Sequence, residues 1–211
     1  MASKGEEKPE LVGSKQGIVS VTKAKHDQIV LVLRVVAFLA TASATIVMGL
    51  NQETKTLLVG TIGTTPIRAT LTAKFQHTPA FVFFVVANGL ASVHNLVMLG
   101  VAVFGRKLDC KGLRLVIITI LDMVIVAVVA AGASSAAFMA ELGKNGNSHA
   151  KWNKICDKFE SFCHQGGGAL IPSFIALLLL FLISAISILT LHNQNLPVLM
   201  PPPLIHSLLL L

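Results

Sequence analysis

Four apolar runs constrain this chain more than any other feature. They cover 29–50, 80–103, 113–138 and 169–191, and each meets the roughly 20 residues a helix needs to cross about 30 Å of hydrocarbon. Only a helix or a closed barrel satisfies every backbone N–H and C=O away from water. The composition agrees: 54% of residues are hydrophobic and 13% are charged, which is not the balance of a soluble domain. The intervening loops, 51–79, 104–112 and 139–168, are too short to hold a domain of their own. The expected fold class is therefore an all-α membrane protein, a four-transmembrane-helix bundle.

The flanks read differently. Residues 1–28 mix Lys4, Glu6, Glu7, Lys8, Glu10 and Lys15 without an apolar core, so they are expected to be a disordered tail, and the first span inserts uncleaved. Residues 192–211 form a Pro- and Leu-rich second tail whose apolar end, 204–211, is too short to span. Ala2 and the terminal leucines carry no lipidation signal.

The net charge of +7 raises nucleic acid as a partner. The basic residues are scattered through loops, with no basic helix or aromatic-interleaved patch, so they are assigned to topology and to anionic lipid instead. Arg106, Lys107, Lys111 and Arg114 crowd the middle loop and its flank, and Lys23 and Lys25 precede the first span. By the positive-inside rule both termini are expected to be cytoplasmic.

Cys156 and Cys163 share the third loop, which this orientation puts outside, where disulfides persist. A bridge between them is expected, with two free thiols as the plainer alternative. A zinc set of His149, Cys156, Cys163 and His164 is formally available but fits no standard spacing. Cys110, beside the membrane in the middle loop, is a candidate for reversible palmitoylation, and an unmodified thiol is the ordinary state there. No Asn-x-Ser/Thr triplet marks a glycosylated loop.

Two ionised residues lie inside apolar runs, Arg34 in the first and Asp122 in the third. At a helix centre each costs roughly 2.5 to 3.5 kcal/mol to insert. Both spans enter from the same face, and a rise of about 1.5 Å per residue puts the two groups roughly 8 and 14 Å deep. A long guanidinium closes that difference, so an Arg34–Asp122 ion pair is expected. His94 and Asn95 of the second span reach a similar depth, and Ser184 and Ser187 of the fourth fall in the same half. A polar layer drawing on all four helices follows. Small residues line the first span (Ala37, Ala40, Ala42, Ser43, Ala44) and the outer half of the third (from Ala127 to Ala137), which lets backbones approach closely.

No phosphate-binding glycine loop, His-Glu-x-x-His helix, nucleophile elbow or paired-carboxylate arrangement occurs, so neither catalytic residues nor a cofactor or metal are expected. Gly166, Gly167 and Gly168 read as a flexible entry into the fourth span.

The run 141–168, with Gly143, Asn147, His149, Ala150, Trp152, Ile155, Cys156, Phe159, Phe162 and Cys163, resembles the second extracellular loop of plant Casparian strip membrane domain-like (CASP-like) proteins. Ala73, Lys74 and Phe75 with Thr78, Pro79, Ala80 and Phe81 are similar to the same family, as are Arg34 and Asp122 in their spans. The resemblance covers roughly 30–191. It implies a multi-pass plasma-membrane protein related to the MARVEL tetraspan proteins, forming homodimers or heteromers with family members. Casparian strip proteins proper carry a Phe-rich signature in the first extracellular loop, and 51–78 lacks it. The expected function is thus a non-enzymatic, self-associating plasma-membrane scaffold, organising a membrane domain linked to cell-wall modification, with extracellular wall enzymes and membrane lipids as partners. The rival reading is a small transporter or channel component that uses the Arg34/Asp122 layer.

Overall fold

The structure, a computed structural model of the chain, describes residues 10–104 and 111–199. Four long helices dominate it: α1 (Glu10–Gly49), α2 (Pro79–Phe104), α3 (Lys111–Asn145) and α4 (Glu160–Leu199). Each contains a stretch long and apolar enough to cross a membrane: Lys25–Gly49, Pro79–Phe104, Leu115–Asn145 and Glu160–Asn193. α1 starts at Glu10, inside the segment expected to be a disordered tail, and α4 continues into the second tail as far as Leu199. Cys110 and residues 200–211 lie outside the described residues.

The helices pack as a square. α1 rests on α2 and α4, and α3 rests on the same two neighbours. Most of what faces inward on the first two helices is small or polar, at helical spacing: Arg34, Ala37, Thr41 and Ala44 on α1, and Ala87, Asn88, Ala91 and Asn95 on α2, with Met48 and Phe84 as larger apolar members. The large side chains face out, with Val32, Leu39 and Ile46 of α1 all more than half exposed. A soluble bundle does the opposite. In lipid the tails are as apolar as leucine, so close backbone approach and interhelical hydrogen bonds, not burial of large apolar groups, hold helices together. Gly132 shows how close: a Cβ there would sit 2.7 Å from the Ala87 Cβ across the α2–α3 contact.

The first loop is not irregular chain. It folds as an antiparallel hairpin of β1 (Gln52–Ile62) and β2 (Thr65–Lys74), turned at Gly63, whose φ of 61° suits the first position of a two-residue turn. A register shift between Leu58 and Gly60 marks a bulge. Thr54–Thr72 and Thr56–Thr70 side-chain hydrogen bonds stitch one face, while Leu57, Ala73 and Phe75 pack on the Phe81–Phe162 cluster at the end of the bundle.

The glycine run is also placed differently from the sequence expectation. Gly166, Gly167 and Gly168 lie inside α4, more than one turn past its start, rather than in an entry loop.

Candidate functional site

Asp122 of α3 is buried on the axis of the bundle, its side chain 2% exposed. Arg34 reaches it from α1, across the diagonal of the square, with a two-pronged grip: Nη1 donates to Oδ1 at 3.1 Å and Nη2 to Oδ2 at 2.6 Å. The planar guanidinium matches a carboxylate in this way, which an ammonium does not. His94 of α2 completes the group, Nε2 lying 2.7 Å from Oδ1. Since an ionised carboxylate only accepts, Nε2 carries the proton at this contact. Three helices thus converge on one acid, and the burial of each charge is matched by a partner of opposite sign and by hydrogen bonds.

Asn95 does not join this group, although it neighbours His94. One residue further on is about 100° further round a helix, and Asn95 instead donates from Nδ2 to its own helix at the Ala91 carbonyl, 2.9 Å away. Asn95 Oδ1 and Ser184 Oγ are buried and have no hydrogen-bond partner. The layer expected from all four helices is therefore a triad of three, with α4 contributing no hydrogen bond to it.

Sequence reasoning missed two further polar ties. Ser173 of α4 donates to Asn88 Oδ1 of α2 at 2.9 Å, across the other diagonal, and Ser92 Oγ of α2 donates to Thr41 Oγ1 of α1 at 2.9 Å. Asn88 and Ser173 were visible as polar residues in apolar runs, the same signal that singled out Asp122.

At the hairpin end, Cys156 and Cys163 are joined by a disulfide that spans 7 positions with a Cα–Cα distance of 5.6 Å. Both thiols are consumed in it, so the four-residue zinc set with His149 and His164 is not assembled. The amides of Ile155 and Cys156 both donate to the Gly143 carbonyl, tying the bridged segment to the end of α3. Gly146, at φ 67°, sits where a Cβ would meet the Trp152 carbonyl oxygen at 2.7 Å, and it allows the paired Asn147–Trp152 turn to close.

Two residues at the base of the hairpin lock it to α4, Asn51 just before β1 and Glu53 within it. Asn51 Nδ2 donates to the Phe162 carbonyl at 2.9 Å, and Glu53 Oε2 accepts the Phe162 N–H at 2.7 Å. That amide belongs to the first turn of α4, whose N–H groups have no partner within the helix, so a carboxylate from β1 caps it. Lys55 Nζ lies 2.8 Å from Glu53 Oε1. The hydrogen bond from Lys55, then that from Phe162, hold the Glu53 carboxyl below its ordinary range.

Residues 23–179 match the family model of the Casparian strip membrane protein domain. The chain belongs to that family. Among its relatives, a CASP-like protein 1B2 of Vitis vinifera is 97% identical over 93% of this chain and 96% of its own length. A CASP-like protein 1B2 of Populus trichocarpa is 64% identical over 90% of this chain and 94% of its own, and one of Arabidopsis thaliana 58% over 84% and 91%. No solved structure matches the chain. The family match spans the Arg34–Asp122–His94 triad and the Cys156–Cys163 bridge, so both features sit in its body, while residues beyond 179 are outside it.

Proposed function

We propose that the chain is a non-enzymatic, self-associating scaffold of the plasma membrane, both termini cytoplasmic, that organises a membrane domain linked to cell-wall modification. One observation carries the structural part of this reading. The charged groups within the membrane close on one another: Asp122 takes the guanidinium of Arg34 and the ring N–H of His94, which uses them to fix three helices in register. A proton or ion path instead requires charged groups that exchange partners along a hydrated route. A layer of packed side chains, Ala37, Ala91, Val129, Leu180 and Ile183, lies next to the triad toward the hairpin end. Membership of the Casparian strip membrane protein family supports the proposed link to the wall and the proposed plasma-membrane address.

The rival reading, a small transporter or channel component, draws on the unpartnered Asn95 Oδ1 and Ser184 Oγ, which offer acceptor positions beside the core. Tracking of single tagged molecules in the native membrane, with chemical crosslinking, separates the two. The scaffold is expected to be clustered and slow, with crosslinked homo-oligomers. Freely diffusing monomers would contradict it.

A further inference from the structure

A cavity of about 1250 Å³ lies at the hairpin end, between the last turns of α3 and the first turns of α4, with residues of the bridged segment on one wall. Gly167 and Gly168 line it. Neither has a positive φ, and an added Cβ at either would meet no heavy atom within 4 Å. Gly132 and Gly146 differ in kind, because a Cβ there would collide at 2.7 Å. Glycine inside a helix is less stable than alanine, so at 167 and 168 neither packing nor backbone conformation accounts for it. What the paired glycines provide is bare helix surface facing the cavity.

The rest of the lining is apolar below and charged at the margin. Phe81, Met139, Ile155 and Leu170 supply the walls, and Trp152 lines the cavity while remaining 59% exposed. Lys144 and Lys151 with Glu141 and Glu160 also line it, and among the described residues none of them forms an ion pair with a protein group. Lys151 is held at φ 53°, a left-handed conformation that is strained for a residue other than glycine, asparagine or aspartate.

We propose that this cavity binds one zwitterionic phospholipid from the leaflet on the hairpin side. An acyl chain lies over Gly167 and Gly168, the phosphate meets Lys144 and Lys151, and the ammonium meets Glu160 and the face of Trp152. The balanced charges of the margin fit a headgroup carrying both signs, and an exposed indole beside an acid is a favourable seat for a quaternary ammonium. Ligand pockets of roughly 300 to 1,000 Å³ with few convergent polar groups are the general form of such sites.

The test uses the full chain in lipid nanodiscs containing a phosphatidylcholine with a photoactivatable acyl chain, followed by peptide mapping. Crosslinks are expected to concentrate in 137–171. Changing Gly167→Leu together with Gly168→Leu fills the cavity and should reduce them by about tenfold. Gly100→Leu, at the other end of α2 where a Cβ also meets nothing, should leave them unchanged. Lys144→Ala with Lys151→Ala, both on exposed side chains, should lower labelling at this site several-fold. This pair decides the matter if the leucine variant does not fold. Crosslinks spread evenly over the outward faces of all four spans, or unaffected by either pair of changes, would overturn the proposal in favour of ordinary annular lipid.

Discussion

Asp122 accepts from both arms of Arg34 and from His94, and the three contacts are not equivalent. Arg34 neutralises the acid and reaches it across the bundle, whereas His94 adds one further donor from α2. Replacing His94 by Ala should therefore cost less than losing Arg34, about 1.5 to 3 kcal/mol for one hydrogen bond to a charged group. His94→Gln, which keeps an N–H donor, should recover part of that. Thermal unfolding of the two purified variants checks this, and equal losses would mean that His94 acts through packing alone. At this scale the sequence was informative where charge forced a partnership: an acid and a base at matched depths in apolar helices leave few alternatives. It was less so for Asn95, because a neutral amide can return to its own backbone and still bury a donor, as its bond to Ala91 shows.

The elements at the hairpin end depend on one another. β1 caps α4 through Glu53, and α4 in turn carries the Phe162 against which the hairpin base packs. Because the Glu53 carboxyl is held below the usual carboxylate range by Lys55 and Phe162, the linkage sign is fixed. The contribution of this contact is fully present above the carboxyl's ordinary pKa and is lost as pH falls through the lowered one. Amide exchange at Phe162, corrected for its intrinsic pH dependence, should hold its protection through the ordinary glutamate range of about 4.3 and lose it only below. Loss already at neutral pH, or insensitivity to Glu53→Gln, would contradict the cap. Between α2 and α3 the determining contact is steric. Gly132→Ala drives a Cβ to 2.7 Å from that of Ala87 and should destabilise by about 1 to 3 kcal/mol despite the better helix propensity of Ala. Gly100→Ala, with open space around it, should be neutral or stabilising, and unfolding midpoints in one detergent compare the two. The spans were legible because twenty apolar residues in lipid have one solution. The hairpin was not anticipated, although Thr-rich flanks around Gly63 and Thr64 are a turn signal, because its anchoring depends on Asn51 and Glu53 meeting α4 about a hundred residues away. Gly166 to Gly168 misled for a related reason: the helix that contains them is extended by the disulfide and the Glu53 cap, neither of which is a local property.

Across the whole molecule, a square of helices with many small groups inside and many large ones outside relies on its polar contacts to fix the rotation of each helix. Arg34–Asp122 bridges one diagonal and Asn88–Ser173 the other, so register is set by two crossing ties, and the family match places both within the Casparian strip membrane protein domain. The central claim is that the charged tie is a structural lock rather than a step in a transport path. Its most direct test is a double-mutant cycle on Arg34 and Asp122, read as surface abundance and self-crosslinking. Asp122→Ala and Arg34→Ala each strand a buried charge and should each cost about 3 to 5 kcal/mol, with a matching fall in delivery. The double variant leaves no orphan charge, only the His94 N–H without its acceptor, so it should recover part of what either single change loses. Strictly additive losses, or a pH-dependent flux abolished by Asp122→Asn at normal surface abundance, would contradict the account.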